Sequence, residues 1–249
     1  MVYKGYTKPS SDHASARGEK SPGSVHSGPV PDLRTQFGQI DIYLFDQLIR
    51  GRIRPGMRIL EAGCGSGRNI AYLLQSGYDV AAVDSDFDAI AQVKRLAGAW
   101  APTLPEDNFR VEAIEAMSFP DGFADALLSI AVLHFARDDS QFNAMLASLW
   151  RVLRPGGLFF CRLASSIGMA DRMIPRGGRR FLLPDGSERY LVDEALLLEL
   201  TEQLGGEFLD PLKTTVVQDQ RCMTTWVLCK RAKARSGLGD KRFPPATDD

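Results

Sequence analysis

The chain has 249 residues, 44% of them hydrophobic and 24% charged, and 30 Lys plus Arg stand against 31 Asp plus Glu for a formal net charge of −1. A chain of this length holds one large domain or two small ones, with enough core to fold without a disulfide framework. The near-neutral balance supplies no global basic excess for a nucleic-acid backbone, and no apolar run approaches the roughly 18 residues of a membrane span.

Residues 1–33 are rich in Gly, Ser and Pro (Ser21-Pro22-Gly23-Ser24), too poor in apolar side chains to offset the entropy of ordering. They read as a disordered arm with no secretory apolar segment. Residues 236–249, with Pro244-Pro245, read the same way. The span 34–235 between them reads as one domain. The spacing of Ile40, Tyr43, Leu44 and Leu48 predicts a leading helix over Phe37–Ile53, ended by Pro55-Gly56. Short strands are expected at Met57–Ala62 and Asp79–Val83, with a helix at Asn69–Ser76 between them. A helix follows at Phe87–Ala97, a strand at Phe109–Ile114, and a nearly all-apolar strand at Ala124–Val132, as suits burial on both faces. Asp139 is the expected cap of a helix that Pro155-Gly156-Gly157 stops. A strand over Gly157–Arg162 comes next. Residues 165–190 are the least regular stretch and read as a lid over the substrate. Asp193 caps a last helix, and strands near Leu212–Val217 and Met223–Cys229 close the domain as an antiparallel hairpin. The alternation predicts an α/β fold, a mostly parallel doubly wound sheet with helices on both faces. Cys64, Cys161, Cys222 and Cys229 sit in apolar segments without a CxxC pair or a His cluster, so they read as reduced core residues and suggest no metal site. The expected setting is cytoplasmic.

In open α/β sheets ligands bind beyond the carboxyl ends of the strands. The first strand runs into Glu61-Ala62-Gly63-Cys64-Gly65-Ser66-Gly67-Arg68. Its glycines permit a tight turn and close ligand approach. A dinucleotide fingerprint would need glycine at position 68, which is Arg68, and no P-loop lysine follows, so NAD is not the expected cofactor. Asp84 ends the second strand about 20 residues later, the distance at which a carboxylate accepts from ribose hydroxyls.

With these residues the sequence resembles the class I S-adenosylmethionine-dependent methyltransferases. Glu61-x-Gly63-x-Gly65-x-Gly67 looks like their first motif and Val80–Asp84 like their second. Three later stretches, Met117–Asp125, Ser129–His134 and Trp150–Gly157, resemble further motifs in the family's order. Gly67-Arg68-Asn69 with Gly77-Tyr78-Asp79-Val80 is most similar to small-molecule members, such as the tellurite-resistance methyltransferases and the methyltransferase-11, methyltransferase-12 and methyltransferase-25 groups. The resemblance implies a Rossmann-like seven-stranded sheet with the last strand antiparallel, S-adenosyl-L-methionine as cofactor, and a small-molecule acceptor rather than a membrane or nucleic acid. It implies that Gly63, Cys64, Gly65 and Gly67 form the cofactor loop. Asp84 takes the ribose hydroxyls, Ser85 lies near the adenine, and the Ile130 carbonyl meets the amino group. Glu61 either orients the loop or contacts a water at the methionine end.

The family's frequent acidic residue near the end of strand three is here Ala113. Glu112 or Glu115 substitutes for it, or the Ile114 backbone and Met117 packing hold the adenine. His134 is the candidate general base, with a packing role as the alternative. Tyr43 and Asp46 on the leading helix cover the site, with a place in a core stripe as the alternative for Tyr43. Arg162 faces an anionic substrate or is a salt-bridged surface residue; Arg179 with Arg180 in the 165–190 stretch face an anionic substrate or belong to a solvated loop. The implied activity is methyl transfer to a small molecule. An RNA or protein methyltransferase, or a non-catalytic cofactor-binding protein of the same fold, is the alternative.

Overall fold

The computed structural model describes residues 32–232; the two arms lie outside the described residues, apart from Asp32 and Leu33. Leu33 opens the first helix, α1 (Leu33–Phe37), which is followed by α2 (Ile42–Ile49). Strands and helices then alternate as β1 (Arg58–Ala62), α3 (Ile70–Gln75), β2 (Asp79–Asp84), α4 (Phe87–Trp100) and β3 (Phe109–Val111). Next come β4 (Ala124–Ile130), α5 (Asp139–Val152) and β5 (Leu153–Ala164). The chain continues through β6 (Ile174–Gly177), β7 (Arg180–Leu182) and β8 (Glu188–Tyr190), then α6 (Glu194–Leu204), β9 (Gly206–Phe208), β10 (Lys213–Val217) and β11 (Arg221–Lys230).

The main sheet runs β10-β11-β5-β4-β1-β2-β3. The β1–β5 pairings are parallel, while β11 lies antiparallel to both β5 and β10. The expected Rossmann-like seven strands are present. β9 adds an eighth by pairing Leu228–Lys230, beyond the part of β11 that β10 covers. From β1 the chain steps outward to β2 and β3, then returns to β4 on the other side of β1. Strand order therefore reverses between β1 and β4, which opens a crevice at their carboxyl ends.

Period-2 alternation sorts the sheet residues between two cores. Leu60, Ala62, Leu127, Phe159, Cys161 and Trp226 pack on α5 and α6 through Phe142, Leu149, Leu197 and Leu200. Ile59, Val80, Ala82, Leu128, Phe160 and Val227 pack on the other face against Leu44, Ile70, Leu73, Ile90 and Val93. Each such aliphatic or aromatic side chain, fully buried, contributes about 1.5–3 kcal/mol before entropy is counted. Trp226 is wholly buried and still satisfies its indole N–H, which donates to Thr201 Oγ1 at 3.0 Å.

Several expectations need correction. The leading helix is shorter than expected, Ile42–Ile49: Asp41 starts it by accepting from the amides of Tyr43 and Leu44, Gly38 at φ +60° separates it from α1, and Gly51 at φ +66° follows its end. The third strand stops at Val111, and Ile114–Ala116 forms a 3-10 turn. Asp138, not Asp139, caps α5 by accepting from Gln141 N; Asp139 instead accepts from the Tyr190 hydroxyl at 2.8 Å. Helix α5 ends at Val152, and Pro155-Gly156-Gly157 lies inside β5, where the register against β4 shifts. The 165–190 stretch is no irregular loop: β6, β7 and β8 form a separate antiparallel three-stranded sheet.

Candidate functional site

β1 delivers the chain to the crevice at Ala62, and the next residues turn back sharply. Gly63 N and Cys64 N both donate to Val83 O, at 2.8 and 3.1 Å, which pins the turn to the end of β2. Gly63 has φ +75°, and a Cβ there would come within 2.8 Å of Val132 Cγ1, so only glycine fits. Asp84 completes the turn from the neighbouring strand. Its carboxylate accepts from Gly65 N at 2.8 Å and from Asp86 N at 3.0 Å. Gly67 needs a correction. A Cβ there would lie 3.0 Å from Val93 Cγ2 and 3.2 Å from Leu96 Cδ1, and Gly67 is not on the cavity wall. It allows the start of α3 to approach α4 closely.

These turns enclose a cavity of about 650 Å³. Glu61, Gly63, Cys64, Gly65, Asp84 and Ser85 line it from β1 and β2. Ala113, Ile114 and Glu115 line it after β3, and Ile130, Ala131 and Val132 after β4. Glu112 is turned away, accepting from Ser118 N at 2.8 Å and from Ser118 Oγ. Met117 is a core residue and does not reach the wall. Glu115 is on the wall and accepts from Gln141 Nε2 at 2.9 Å. The wall residues not foreseen in the sequence are Ser66, Arg68, Asn69, Ala131, Val132, Phe135, Gln141 and Met145. For Gln141 and Met145 a signal existed, since residues four apart share a helix face.

Glu61 is the deepest charged group on the wall. Its Oε1 accepts from Asn69 Nδ2 at 2.7 Å, while Oε2 is buried and has no partner. Burial pushes its carboxyl up to about 7, although the Asn69 bond pulls the other way. Asn69 Oδ1 in turn accepts from Asp41 N at 2.9 Å, and Asp41 Oδ2 pairs with Arg162 Nη1 at 2.7 Å. The cap of α2 thus ties the glycine turn to β5. The thiol of Cys64 is also raised by burial, so it is a neutral wall group.

A second cavity of about 300 Å³ adjoins the first, and the two share Arg68 and Ala131. His134 and Arg162 line it; Tyr43, Arg179 and Arg180 line neither cavity. The Tyr43 hydroxyl lies 2.6 Å from Thr215 Oγ1, and its ring sits under the Arg162 guanidinium at 5.0 Å. Arg179 Nη1 donates to Asp193 Oδ2 at 2.8 Å, and Arg180 holds Glu188 Oε1 and the Ala136 carbonyl. Both arginines are therefore used within the fold, which overturns their expected contact with an anionic substrate. His134 also needs correction as a general base. Its Nδ1 accepts from Ala164 N at 3.1 Å, so the proton of the neutral ring sits on Nε2. Burial, with the charge of Arg189, lowers it to about 4. At neutral pH it is a hydrogen-bond donor toward anything beside it.

Residues 60–161 match the family described as a methyltransferase domain. A ubiquinone biosynthesis O-methyltransferase from Methylocella silvestris is 34% identical over 184 residues, covering 67% of this chain and 68% of the relative. The chain belongs to the class I S-adenosylmethionine-dependent methyltransferases. It spans 47%, 61% and 54% of the length of three other curated relatives. A likeness of fold is seen with the 1,6-didemethyltoxoflavin-N1-methyltransferase of Burkholderia thailandensis, whose structure holds S-adenosylhomocysteine (TM-score 0.59, 21% identity, 81% of this chain and 82% of that one). An S-adenosyl-L-methionine-dependent Diels-Alderase from Talaromyces variabilis is 34% identical over 107 residues, 42% of this chain and 35% of the relative.

The cofactor of this methyltransferase is S-adenosylmethionine, and the first cavity fits it. Gly63, where a Cβ would strike Val132, lets the turn lie against the cavity wall, and Asp84 lines the same wall from the end of β2. Glu61 Oε2, buried and unpartnered, suits a cationic group.

Proposed function

We propose that the chain transfers a methyl group from S-adenosylmethionine to a small-molecule acceptor, in the cytoplasm. The observation that carries this reading is the placing of Asp84, bonded to the Gly65 amide, and Glu61, with its unpartnered oxygen, on the wall of one cavity. In this reading Asp84 accepts from the two ribose hydroxyls, and Ser85, Ile114 and Glu115 flank the adenine. Gly63, Cys64 and Gly65 hold the methionine end, where the Ile130 carbonyl and Glu61 face the ammonium. When bound, S-adenosylmethionine supplies a methyl group made electrophilic by its sulfonium. The chain's own task is to hold an acceptor in line and keep water out, which Ile130, Val132 and Met145 favour by making part of the wall apolar. His134 takes no proton in this scheme, because its free nitrogen already carries one. Among the described residues no helix is long and apolar enough to cross a membrane. The name of the Methylocella relative supports a small-molecule acceptor.

The test has two arms. A hydrogen bond to a charged group contributes about 1.5–3 kcal/mol, so Asp84→Ala should weaken S-adenosylhomocysteine binding at least about tenfold by calorimetry. Unchanged affinity would remove Asp84 from the site. Acceptor pools incubated with labelled S-adenosylmethionine should yield products heavier by one CH2. Products that form only with the cofactor present but gain no mass would favour the other chemistry, as named for the Diels-Alderase relative.

A further inference from the structure

The second cavity has a charge pattern that the cofactor does not explain. Four arginines line it, Arg68, Arg162, Arg189 and Arg221, against a single carboxylate, Asp185. Their charges are poorly matched by the fold. Asp41 serves two of them, at 2.7 Å from Arg162 Nη1 and 3.9 Å from Arg68 Nη2. Arg162 Nε is buried without a hydrogen-bond partner. Arg189 donates Nη1 to the Glu188 carbonyl and lies over the Phe135 ring, 4.7 Å from its centroid. Neither contact carries a full negative charge. Arg189 and Arg221 feel Asp185 at a distance, and among the described residues neither forms an ion pair. Asp185 Oδ1 accepts from the Ser187 amide and hydroxyl, at 2.9 and 2.6 Å.

His134 adds a neutral donor to the same wall. With Nδ1 committed to the Ala164 amide, Nε2–H is the ring's uncommitted polar group. Ala131, where the cavities meet, is held at φ +63° and donates its amide to the Arg162 carbonyl at 2.7 Å. A left-handed alanine costs of order 1–2 kcal/mol, and such strain gathers where a site requires a particular backbone path.

We propose that this second cavity is the acceptor site and that it selects a small acceptor carrying an oxyanion, a carboxylate or a phosphate. The proposal rests on the methyltransferase reading of the first cavity. Planar guanidinium groups hold such oxyanions through paired N–H donors, and confinement strengthens the attraction. A volume of about 300 Å³ admits a small molecule and not a folded nucleic acid.

The test uses the full chain saturated with S-adenosylhomocysteine, at constant ionic strength. Calorimetric titrations compare citrate, succinate, benzoate and inorganic phosphate with the neutral triamide of citric acid. At least one carboxylate or phosphate should bind and the triamide should not; which anion binds tells carboxylate from phosphate. The double variant Arg189→Gln, Arg221→Gln should weaken that binding at least about tenfold, with cofactor-product affinity unchanged. The matching double lysine variant should recover part of the loss. The proposal is overturned if none of the anions binds, if the triamide binds as well, or if the glutamine variant binds as tightly as the wild type. Tight binding of a tRNA pool that none of these anions displaces would also overturn it, in favour of an RNA acceptor. Failure to bind S-adenosylhomocysteine at all sinks the methyltransferase reading instead, so the two failures are distinguishable.

Discussion

Glu61 and His134 are both buried and both titrate far from their ordinary ranges, in opposite directions. Burial raises Glu61 to about 7, so its contribution to stability is fully present below about 4.5 and is lost as pH rises through 7. Burial and then Arg189 lower His134 to about 4, so its contribution is present above about 6.5 and is lost as pH falls toward 4. Each shift corresponds to roughly 3 kcal/mol in full. Between pH 5 and 6.5 the two slopes oppose each other, and the ligand-free wild type should be nearly level. Glu61→Gln keeps the acceptor that Asn69 uses, and should become more stable from pH 5 to 6.5 by roughly 1–2 kcal/mol, the slope left by His134. His134→Asn can still accept from the Ala164 amide, and should lose a similar amount over the same range. Urea midpoints at the two pH values check this; variants that both track the wild type would show that burial does not set these titrations. About half of the cofactor-wall residues were legible in sequence because they follow strand ends, where the crevice must form. The Glu61–Asn69–Asp41–Arg162 chain was not, since Asp41 and Arg162 lie 121 positions apart and only the fold brings them together. Arg179 and Arg180 misled for the same reason. Whether an arginine faces a ligand or pairs within the chain depends on where Asp193 and Glu188 land.

At the scale of elements, the parallel sheet and its helices follow from apolar periodicity strong enough to read directly. β6, β7 and β8 escape that reading because they are three or four residues long and have no buried face to impose alternation, apart from Tyr190. The shortening of the leading helix escapes it too, since Gly38 and Gly51, both at positive φ, bound the apolar stripe more tightly than its periodicity shows. Glycine placement gives an element-level test. Gly67 and Gly77 bracket α3 with φ +82° and +74°, but a Cβ at Gly77 would meet nothing, while one at Gly67 would press on α4. Gly77→Ala should cost about 1 kcal/mol of backbone strain alone, and Gly67→Ala roughly 1–3 kcal/mol more from overpacking. Urea unfolding ranks them. If Gly67 serves helix packing, its variant should keep its affinity for S-adenosylhomocysteine once folded; a loss of binding larger than the loss of stability would return Gly67 to the cofactor loop.

On the scale of the whole molecule, the first cavity is walled by segments after β1, β2, β3 and β4 and by α5, so a ligand there bridges both sides of the sheet's reversal point. No single segment makes the site, and binding should therefore report on the global fold. A ligand at 100 times its dissociation constant adds about 2.7 kcal/mol to the stability of the folded state. For a domain of this size that is a rise in Tm of roughly 5–10 °C. S-adenosylhomocysteine should produce that rise, and NAD should produce none, because position 68 is Arg68 where a dinucleotide fingerprint needs glycine. Asp84→Ala sharpens the test. Its carboxylate also holds the Gly65 and Asp86 amides, so the variant should melt lower even without ligand. The informative quantity is the rise on adding ligand, not the Tm itself. With affinity tenfold weaker, the same ligand concentration adds only about 1.4 kcal/mol, and the rise should fall to about half that of the wild type. Thermal melts of both proteins, with and without ligand, give the two rises directly. A full rise in Asp84→Ala from a lowered baseline would mean that Asp84 supports the turn without touching the cofactor, and the ribose contact would have to come from another wall residue.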